Sequence, residues 1–409
     1  MNDHPGLREA VIAGYVRTPI GRYGGALASV RPDTLLAHAI KALLERTSID
    51  PTDVDDVIAG CANQAGEDNR NVGRMASLLA DLPVEVPGQT INRLCGSGLQ
   101  AVNAAAQAIW SGQGEVFIAG GVESMTRAPL VMLKPDTAYP RGLPEMADST
   151  LGWRFTHPKM EERGYTDTLG QTAENVAERR GVSREDQDTL ALLSQQKTAR
   201  AMANGRLAEE IVSVSVPRPK GEPAVVECDE HPRPGTTLEQ LSRLKPAFAR
   251  DGSVTAGNSS GINDGAAVLL VTSAERARSF GLSPYARIVS TAVAGVRPDE
   301  MGVGPIPASR KAFARAGLEA EAMDVVELNE AFASQVIACL EELGIDWHDE
   351  QLVNPNGGAI ALGHPLGASG ARLAGTIALE LRNRQAHYGL VTMCVGVGQG
   401  IATILEGLA

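Results

Sequence analysis

Aromatic residues make up only 4% of this 409-residue chain, and its 37 Lys and Arg are outnumbered by 49 Asp and Glu. Each shortage excludes something. Few rings are available for base stacking, and a net charge of −12 opposes a phosphate backbone, so no nucleic-acid partner is expected. No apolar run approaches membrane length, so no membrane partner is expected either. The five cysteines, Cys61, Cys95, Cys228, Cys339 and Cys394, are odd in number and widely spaced, which provides no disulfide framework. No CxxC pair occurs and the seven histidines miss zinc spacings, so no metal site is expected. Residues 1–9 lack an apolar signal core and an Arg-rich amphipathic run, and the chain ends Glu-Gly-Leu-Ala rather than in a peroxisomal tag. A reducing cytoplasm is the expected location.

What is present is a globular composition, 43% hydrophobic with 44 glycines, at a length that calls for two or three domains. Strand-like apolar runs occur at Ala10 to Tyr15, Asp56 to Gly60 and Glu115 to Gly121. They alternate with helical patterns at Thr34 to Arg46, Val72 to Ala80 and Gln100 to Trp110. From Arg127 to about Pro246 the alternation weakens, Pro, Lys, Arg and Trp cluster, and Thr172 to Arg180 and Arg184 to Asn204 are the clear helices. This stretch is expected to be an insertion. Regular texture resumes with a Gly/Ser/Asn loop, Ser253 to Asn263, and a helix-like Asp264 to Leu270.

From Pro284 onward the first part recurs. Arg8 to Gly14 pairs with Arg287 to Val293, Asp56 to Gly60 with Asp324 to Leu328, Ser97-Gly98 with Ser369-Gly370, and Val116 to Gly120 with Leu390 to Cys394. The order is conserved and the offset stays near about 270 residues, the mark of an internal duplication rather than a solenoid. The expected fold is α/β, with two duplicated halves whose sheets are covered by helices. The expected parts are 1–126 with 247–283, an insertion at 127–246, and 284–409.

One short stretch carries the first chemical signal. Ile91-Asn92-Arg93-Leu94-Cys95-Gly96-Ser97-Gly98 places a cysteine at the start of an Ala-rich helix. Unpaired N–H groups and the positive end of the helix dipole would lower a thiol's pKa there, which favours a nucleophile. The bland reading is a small buried hydrophobe. The second half supplies partners. His364, in Gly363-His364-Pro365, stands in repeat two near the place of Cys95 in repeat one. If the halves pack about a pseudo-two-fold, both face one seam, and a histidine in reach of a thiol takes its proton; a structural histidine is the alternative. Cys394 ends the last apolar run before Val395-Gly396-Val397-Gly398, a turn whose free N–H groups could hold an oxyanion. Asn329-Glu330 reads either as a helix cap or as an amide that positions a water or carbonyl.

Two cysteines, a His in a Gly-His-Pro turn and an Asn-Glu-Ala-Phe segment across a duplicated chain resemble the thiolase family. Asn92 to Gly98, Gly120 to Met125, Asn329 to Ala333, Gly363 to Gly370 and Cys394 to Gly400 look like its signature blocks. Cys61 to Asn71, Gly152 to Phe155 and Met393 to Gly400 look most like the 3-oxoadipyl-CoA (β-ketoadipyl-CoA) thiolases of aromatic degradation.

The resemblance implies a thiolase-like fold, with the halves packed as α-β-α-β-α layers and an inserted CoA-binding loop domain. It implies an acyltransferase that cleaves a 3-oxoacyl-CoA with CoA by ping-pong catalysis. Cys95 would be the acyl acceptor, His364 its base and an oxyanion donor, and Cys394 the proton acceptor and donor. Asn329 would hold an oxyanion water, and the Gly396 N–H would serve a second oxyanion site. Ser260 would contact pantetheine, Arg218 and Lys220 the CoA phosphates, and Phe332 the substrate. Coenzyme A enters as co-substrate, no cofactor is bound permanently, and the family suggests a homodimer or homotetramer.

Thr168-Leu169 stands where short-chain biosynthetic thiolases typically carry His-Met, which speaks against an enzyme confined to acetoacetyl-CoA. A dicarboxylic acyl chain would need a cation, and Arg154 is the candidate. The alternatives are a general fatty-acid 3-ketoacyl-CoA thiolase, an acetoacetyl-CoA-forming acetyltransferase, a decarboxylating ketosynthase, and a CoA- or lipid-binding relative without activity. A ketosynthase resembles a Cys-His-His arrangement, where this chain offers Asn329 and Cys394. An inert relative should lack a reactive side chain.

Overall fold

The computed structural model describes residues 8–218 and 220–408. Residues 1–7, most of the stretch read for targeting signals, fall outside it. In the first half, β1 (Ala10–Arg17) is buried along its whole length. It leads to α1 (Pro32–Thr47), which has Pro at N1 and Asp33 in the first turn and buries Leu35, Leu36, Ala39, Ile40, Leu43 and Leu44. Then come β2 (Asp56–Gly60), α2 (Val72–Leu79, capped by the Asn71 side chain), β3 (Gly88–Ile91), α3 (Ser97–Trp110) and β4 (Val116–Ser124). The stretch 127–246 carries α4 (Leu169–Arg180) and α5 (Arg184–Ala203). β5 (Asn263–Ser273) and β6 (Ala286–Gly295) follow, then α6 (Pro305–Ala316), β7 (Val325–Leu328) and α7 (Ala333–Glu342). α8 (Leu366–Arg384), β8 (Tyr388–Val395) and β9 (Gln399–Gly407) complete the chain.

These strands follow one path, β7-β8-β9-β6-β1-β5-β4-β2-β3, and the two-residue strand Gly21–Arg22 pairs with β5. In the first half β3, β2 and β4 run parallel, while β5 and β1 are antiparallel to their neighbours. The second half repeats the pattern. Val353 bridges β7 in the place of β3, β7 and β8 are parallel, and β9 and β6 are antiparallel. The halves meet where Val11 pairs with Arg287 and Ile12 with Ala286. The four recurring segments of the sequence thus occupy equivalent positions: β1 and β6, β2 and β7, α3 and α8, β4 and β8.

Three apolar clusters define the layers. α1 and α2 cover one face of the first half-sheet, and α6 and α7 cover the outer face of the second. Between the sheets lie α3 and α8, packed against β1, β4 and β5 on one side and β8 and β9 on the other. The segment Asp264 to Leu270, expected as a helix, is instead the centre of strand β5. Ala267, Leu269 and Val271 face the middle layer, and Ala266, Val268 and Leu270 face α1. A strand buried on both faces has an unbroken apolar run, and hydrophobic periodicity cannot distinguish it from a buried helix.

Buried ion pairs bind the stretch 127–246 to the core. Arg17 of β1 pairs with Glu210 at 2.9 Å and Asp229 at 2.7 Å. Arg206 pairs with Glu210 at 2.8 Å and with Glu380 of α8 at 3.0 Å. Among the described residues no helix is long and apolar enough to cross a membrane. Arg17→Met would leave the buried Asp229 without its cation and Glu210 with Arg206 alone, so a loss of about 3–5 kcal/mol in urea unfolding is expected. A loss below about 1 kcal/mol would contradict this view of the network.

Candidate active site

The loop after β3 presents Cys95. Leu94 is held at φ 45°, a left-handed conformation uncommon for a residue with a Cβ, by an N–H bond to Asn92 Oδ1 at 2.9 Å. Ser97 Oγ accepts from the Arg93 N–H at 2.9 Å and donates to the Leu94 carbonyl at 2.6 Å. α3 begins only at Ser97, with Gly96 as its N-cap, so Cys95 lies just outside the helix. The sequence-based expectation of a lowered thiol pKa is not met. Burial pushes Cys95 up to about 11, and the N–H groups of Gly396 and of Cys95 itself oppose this only in part. Desolvation of a thiolate outweighs the helix end.

His364 precedes α8, and its N–H bonds to Asn263 Oδ1 at 3.0 Å. Its Nδ1 lies 2.7 Å from Ser369 Oγ, whose proton goes to the Pro365 carbonyl at 2.9 Å. A hydroxyl has one proton, so this network assigns the Nδ1–H tautomer and leaves a lone pair on Nε2. Asn329 Nδ2 faces that Nε2 at 3.4 Å. Burial, reinforced by the nearby Arg372 guanidinium, pushes the imidazole down to about 3, so it is neutral.

Asn329 follows β7, and its N–H bonds to the Thr392 carbonyl at 3.0 Å. Its Oδ1 is buried and has no partner in the protein. Two residues beyond Thr392, Cys394 packs with Ala173, Val254, Met301, Ala331 and Phe332. Its thiol is held well above the usual range by burial, then by the charges of Cys95 and Cys339. Cys95, Gly396 and Cys394 therefore share one seam, with Asn329 and His364 on adjoining strand and helix ends.

The convergence depends on glycine. A Cβ at Gly98 would lie 2.6 Å from the Gly367 carbonyl oxygen, and one at Gly370 would lie 2.4 Å from the Leu99 nitrogen. The first turns of α3 and α8 can touch backbone to backbone only without those side chains.

Beside the seam lies a groove of ≈ 450 Å³ lined in part by His231, Arg233, Thr236, Leu244, Ser259 and Gly261. Ser260 sits between two lining residues, and its N–H bonds to the Ala331 carbonyl at 2.9 Å. Phe332 is buried beside it, edge-on to Phe248 with centroids 6.1 Å apart. Arg218 and Lys220 are exposed between Val214–Val216 and Ala224–Val226 and are not among the residues lining this groove, whereas Arg233 is. Arg154 is half-buried, 3.4 Å from the Ser149 carbonyl. Sequence reasoning missed Ser369 and Arg233. The five-residue spacing from His364 was a usable signal for Ser369, while Arg233, in Pro232-Arg233-Pro234-Gly235, carries no local signal of a site.

The models of the thiolase N-terminal and C-terminal domains match residues 10–275 and 282–407. The chain belongs to the thiolase family. It is 59% identical over 401 residues to the 3-oxoadipyl-CoA/3-oxo-5,6-dehydrosuberyl-CoA thiolase of Escherichia coli K12, covering 98% of this chain and 100% of that one. It is 55% identical to a beta-ketoadipyl-CoA thiolase of Acinetobacter baylyi, with the same coverage. The crystal structure of the Bacillus anthracis acetyl-CoA acetyltransferase superposes with a TM-score of 0.92 at 40% identity, covering 98% of this chain and 100% of that one.

Because burial keeps Cys95 protonated at neutral pH, its alkylation by iodoacetamide is expected to accelerate about tenfold per pH unit between pH 7 and 9. A rate that levels off below pH 8 would show that the thiolate already exists in the free enzyme.

Proposed function

We propose that this chain cleaves 3-oxoadipyl-CoA with CoA to give succinyl-CoA and acetyl-CoA. The observation that carries the chemistry is the pairing of two buried thiols, Cys95 and Cys394, beside a buried imidazole whose unprotonated Nε2 faces only Asn329 Nδ2 at 3.4 Å. His364 Nε2 takes the Cys95 proton as Sγ attacks the C3 ketone. Sγ is then bonded to C3, and the imidazolium balances the negative charge that the attack has placed on the C3 oxygen in the dry seam. The C2–C3 bond breaks, its electrons enter the enolate of acetyl-CoA, and the Cys394 thiol protonates C2. The succinyl group stays on Cys95 as a thioester. The incoming CoA thiol gives its proton to the Cys394 thiolate and attacks the thioester. Cys95 leaves, recovers the proton from His364, and the enzyme is restored.

Two oxyanion sites fit these steps. The N–H groups of Cys95 and Gly396 serve the tetrahedral intermediate. His364, once protonated at Nε2, and a water on Asn329 Oδ1 serve the enolate. Each donor is worth about 3–4 kcal/mol of barrier. The groove at Ser260 and Phe332 takes the pantetheine arm. Arg218, Lys220 and Arg233 are the candidates for the CoA phosphates, and Arg154 for the distal carboxylate. Arg154 lies beside Ser149, which Asn63 holds at 2.8 Å on the loop next to the nucleophile. The enzyme works in the cytoplasm without a resident cofactor, as a homodimer or homotetramer. The parts proposed are a first half at 1–126 and 247–283, an inserted CoA-binding domain at 127–246, and a second half at 284–409.

The 3-oxoadipyl-CoA assignment is supported by full-length identity to the E. coli relative that exceeds identity to the acetyl-CoA acetyltransferase. Side-by-side thiolysis of acetoacetyl-CoA, a long-chain 3-oxoacyl-CoA and 3-oxoadipyl-CoA should give the highest kcat/KM for the last. If it is the poorest of the three, the substrate assignment fails. Cys394→Ala should still form an acyl-Cys95 adduct with acetyl-CoA, seen by mass spectrometry, while thiolysis falls by at least about 10²-fold. Normal thiolysis by that variant would remove Cys394 from the mechanism.

A further inference from the structure

Glu123, on β4, has no part in the chemistry above, yet it is 1% exposed and carries a carboxylate. That carboxylate accepts three backbone N–H bonds. Oε2 takes Ala62 at 2.9 Å and Gly367 at 2.8 Å, and Oε1 takes Asn63 at 3.1 Å. Ala62 and Asn63 belong to the loop after β2, in the first half. Gly367 lies in the first turn of α8, three residues after His364, in the second.

The connection continues from Ala62. Its carbonyl accepts Asn92 Nδ2 at 2.9 Å, and Asn92 Oδ1 accepts the Leu94 N–H that holds the left-handed turn before Cys95. An unbroken hydrogen-bonded path therefore runs from the His364 turn through Glu123 to the Cys95 turn, crossing between the halves. Only a carboxylate offers enough lone pairs in one place for this junction, and negative charge is favoured at the N-terminus of α8.

Other titratable groups face it. The Cys61 thiol is 3.8 Å from Glu123 Oε1 and 3.6 Å from Asp68 Oδ2, and the Cys95 thiol lies within its field. The three groups Cys61, Asp68 and Glu123 come within 4.8 Å of one another. Backbone donors already occupy both Glu123 oxygens, so this is an anchor rather than a cation cage. Burial pushes the Glu123 carboxyl up to about 7 against the pull of its N–H donors, with Asp68 adding to the rise.

We propose that Glu123 is the positioning residue that sets Cys95 against His364. The inference rests on those two being the reacting pair. When Glu123 takes a proton, one oxygen becomes a donor facing N–H donors, and the junction loses a bond.

The test uses the full-length enzyme with 3-oxoadipyl-CoA or acetoacetyl-CoA. Glu123→Gln should fold and keep KM for CoA within about twofold, while kcat falls about 10²-fold, the scale of an ångström misplacement. In the wild type kcat should fall as pH drops through about 7, as the carboxyl is protonated. That acid limb should be absent in Glu123→Gln. Asn92→Ala, an exposed substitution, spares the buried charge and keeps the test available if Glu123→Gln does not fold. It should lower kcat about tenfold with KM unchanged. Combined with Glu123→Gln it should add little, since both cut one path. Wild-type kcat in Asn92→Ala, an unchanged acid limb in Glu123→Gln, or additive losses in the double variant would each overturn the proposal. Trapping the acyl-enzyme in the wild type separates the two levels. Its absence would sink the Cys95 mechanism, whereas its presence with unaltered variant rates sinks only the role of Glu123.

Discussion

The close crossing of α3 and α8 is the constraint on which the molecule depends. Two helices share the layer between the two half-sheets, and their first turns approach so nearly that Gly98 and Gly370 cannot carry a Cβ. The residues just before those turns are Cys95 and His364. Any widening of the crossing would separate the thiol from the imidazole, so the packing of the middle layer and the geometry of the site are one problem. The glycines lose conformational entropy on folding, and the surrounding apolar layers offset that loss.

The same burial sets the electrostatics. A dry seam raises both thiols and lowers the histidine, so the resting site is neutral in all three groups. In the proposed mechanism charge arises only when substrate draws a proton from Cys95 to His364, with the Gly396 N–H beside the thiol. The helix terminus, which looks decisive when Cys95 is viewed alone, is a minor influence once the surrounding protein has removed the water.

Much of the architecture was legible in the residues. The duplication could be read because each repeat keeps its strands and helices in one order, and both sheets show that order. The segment Asp264 to Leu270 was misread because hydrophobic period disappears where a strand is covered on both faces, and β5 is such a strand. The chemically distinctive residues were legible because cysteine and histidine beside glycine-rich turns are rare patterns. Ser369, Arg233 and Glu123 were not. A serine, an arginine and a glutamate are common residues, and what singles them out is the atoms they meet.

The sequence by itself determined the α/β halves, their duplication and the choice of candidate reactive side chains, since these follow from local periodicity and residue chemistry. Only the tertiary structure decided the protonation of the thiols, the tautomer of His364 and the path through Glu123. Those depend on desolvation and on hydrogen bonds between residues up to 244 positions apart, and no local pattern in the chain encodes either.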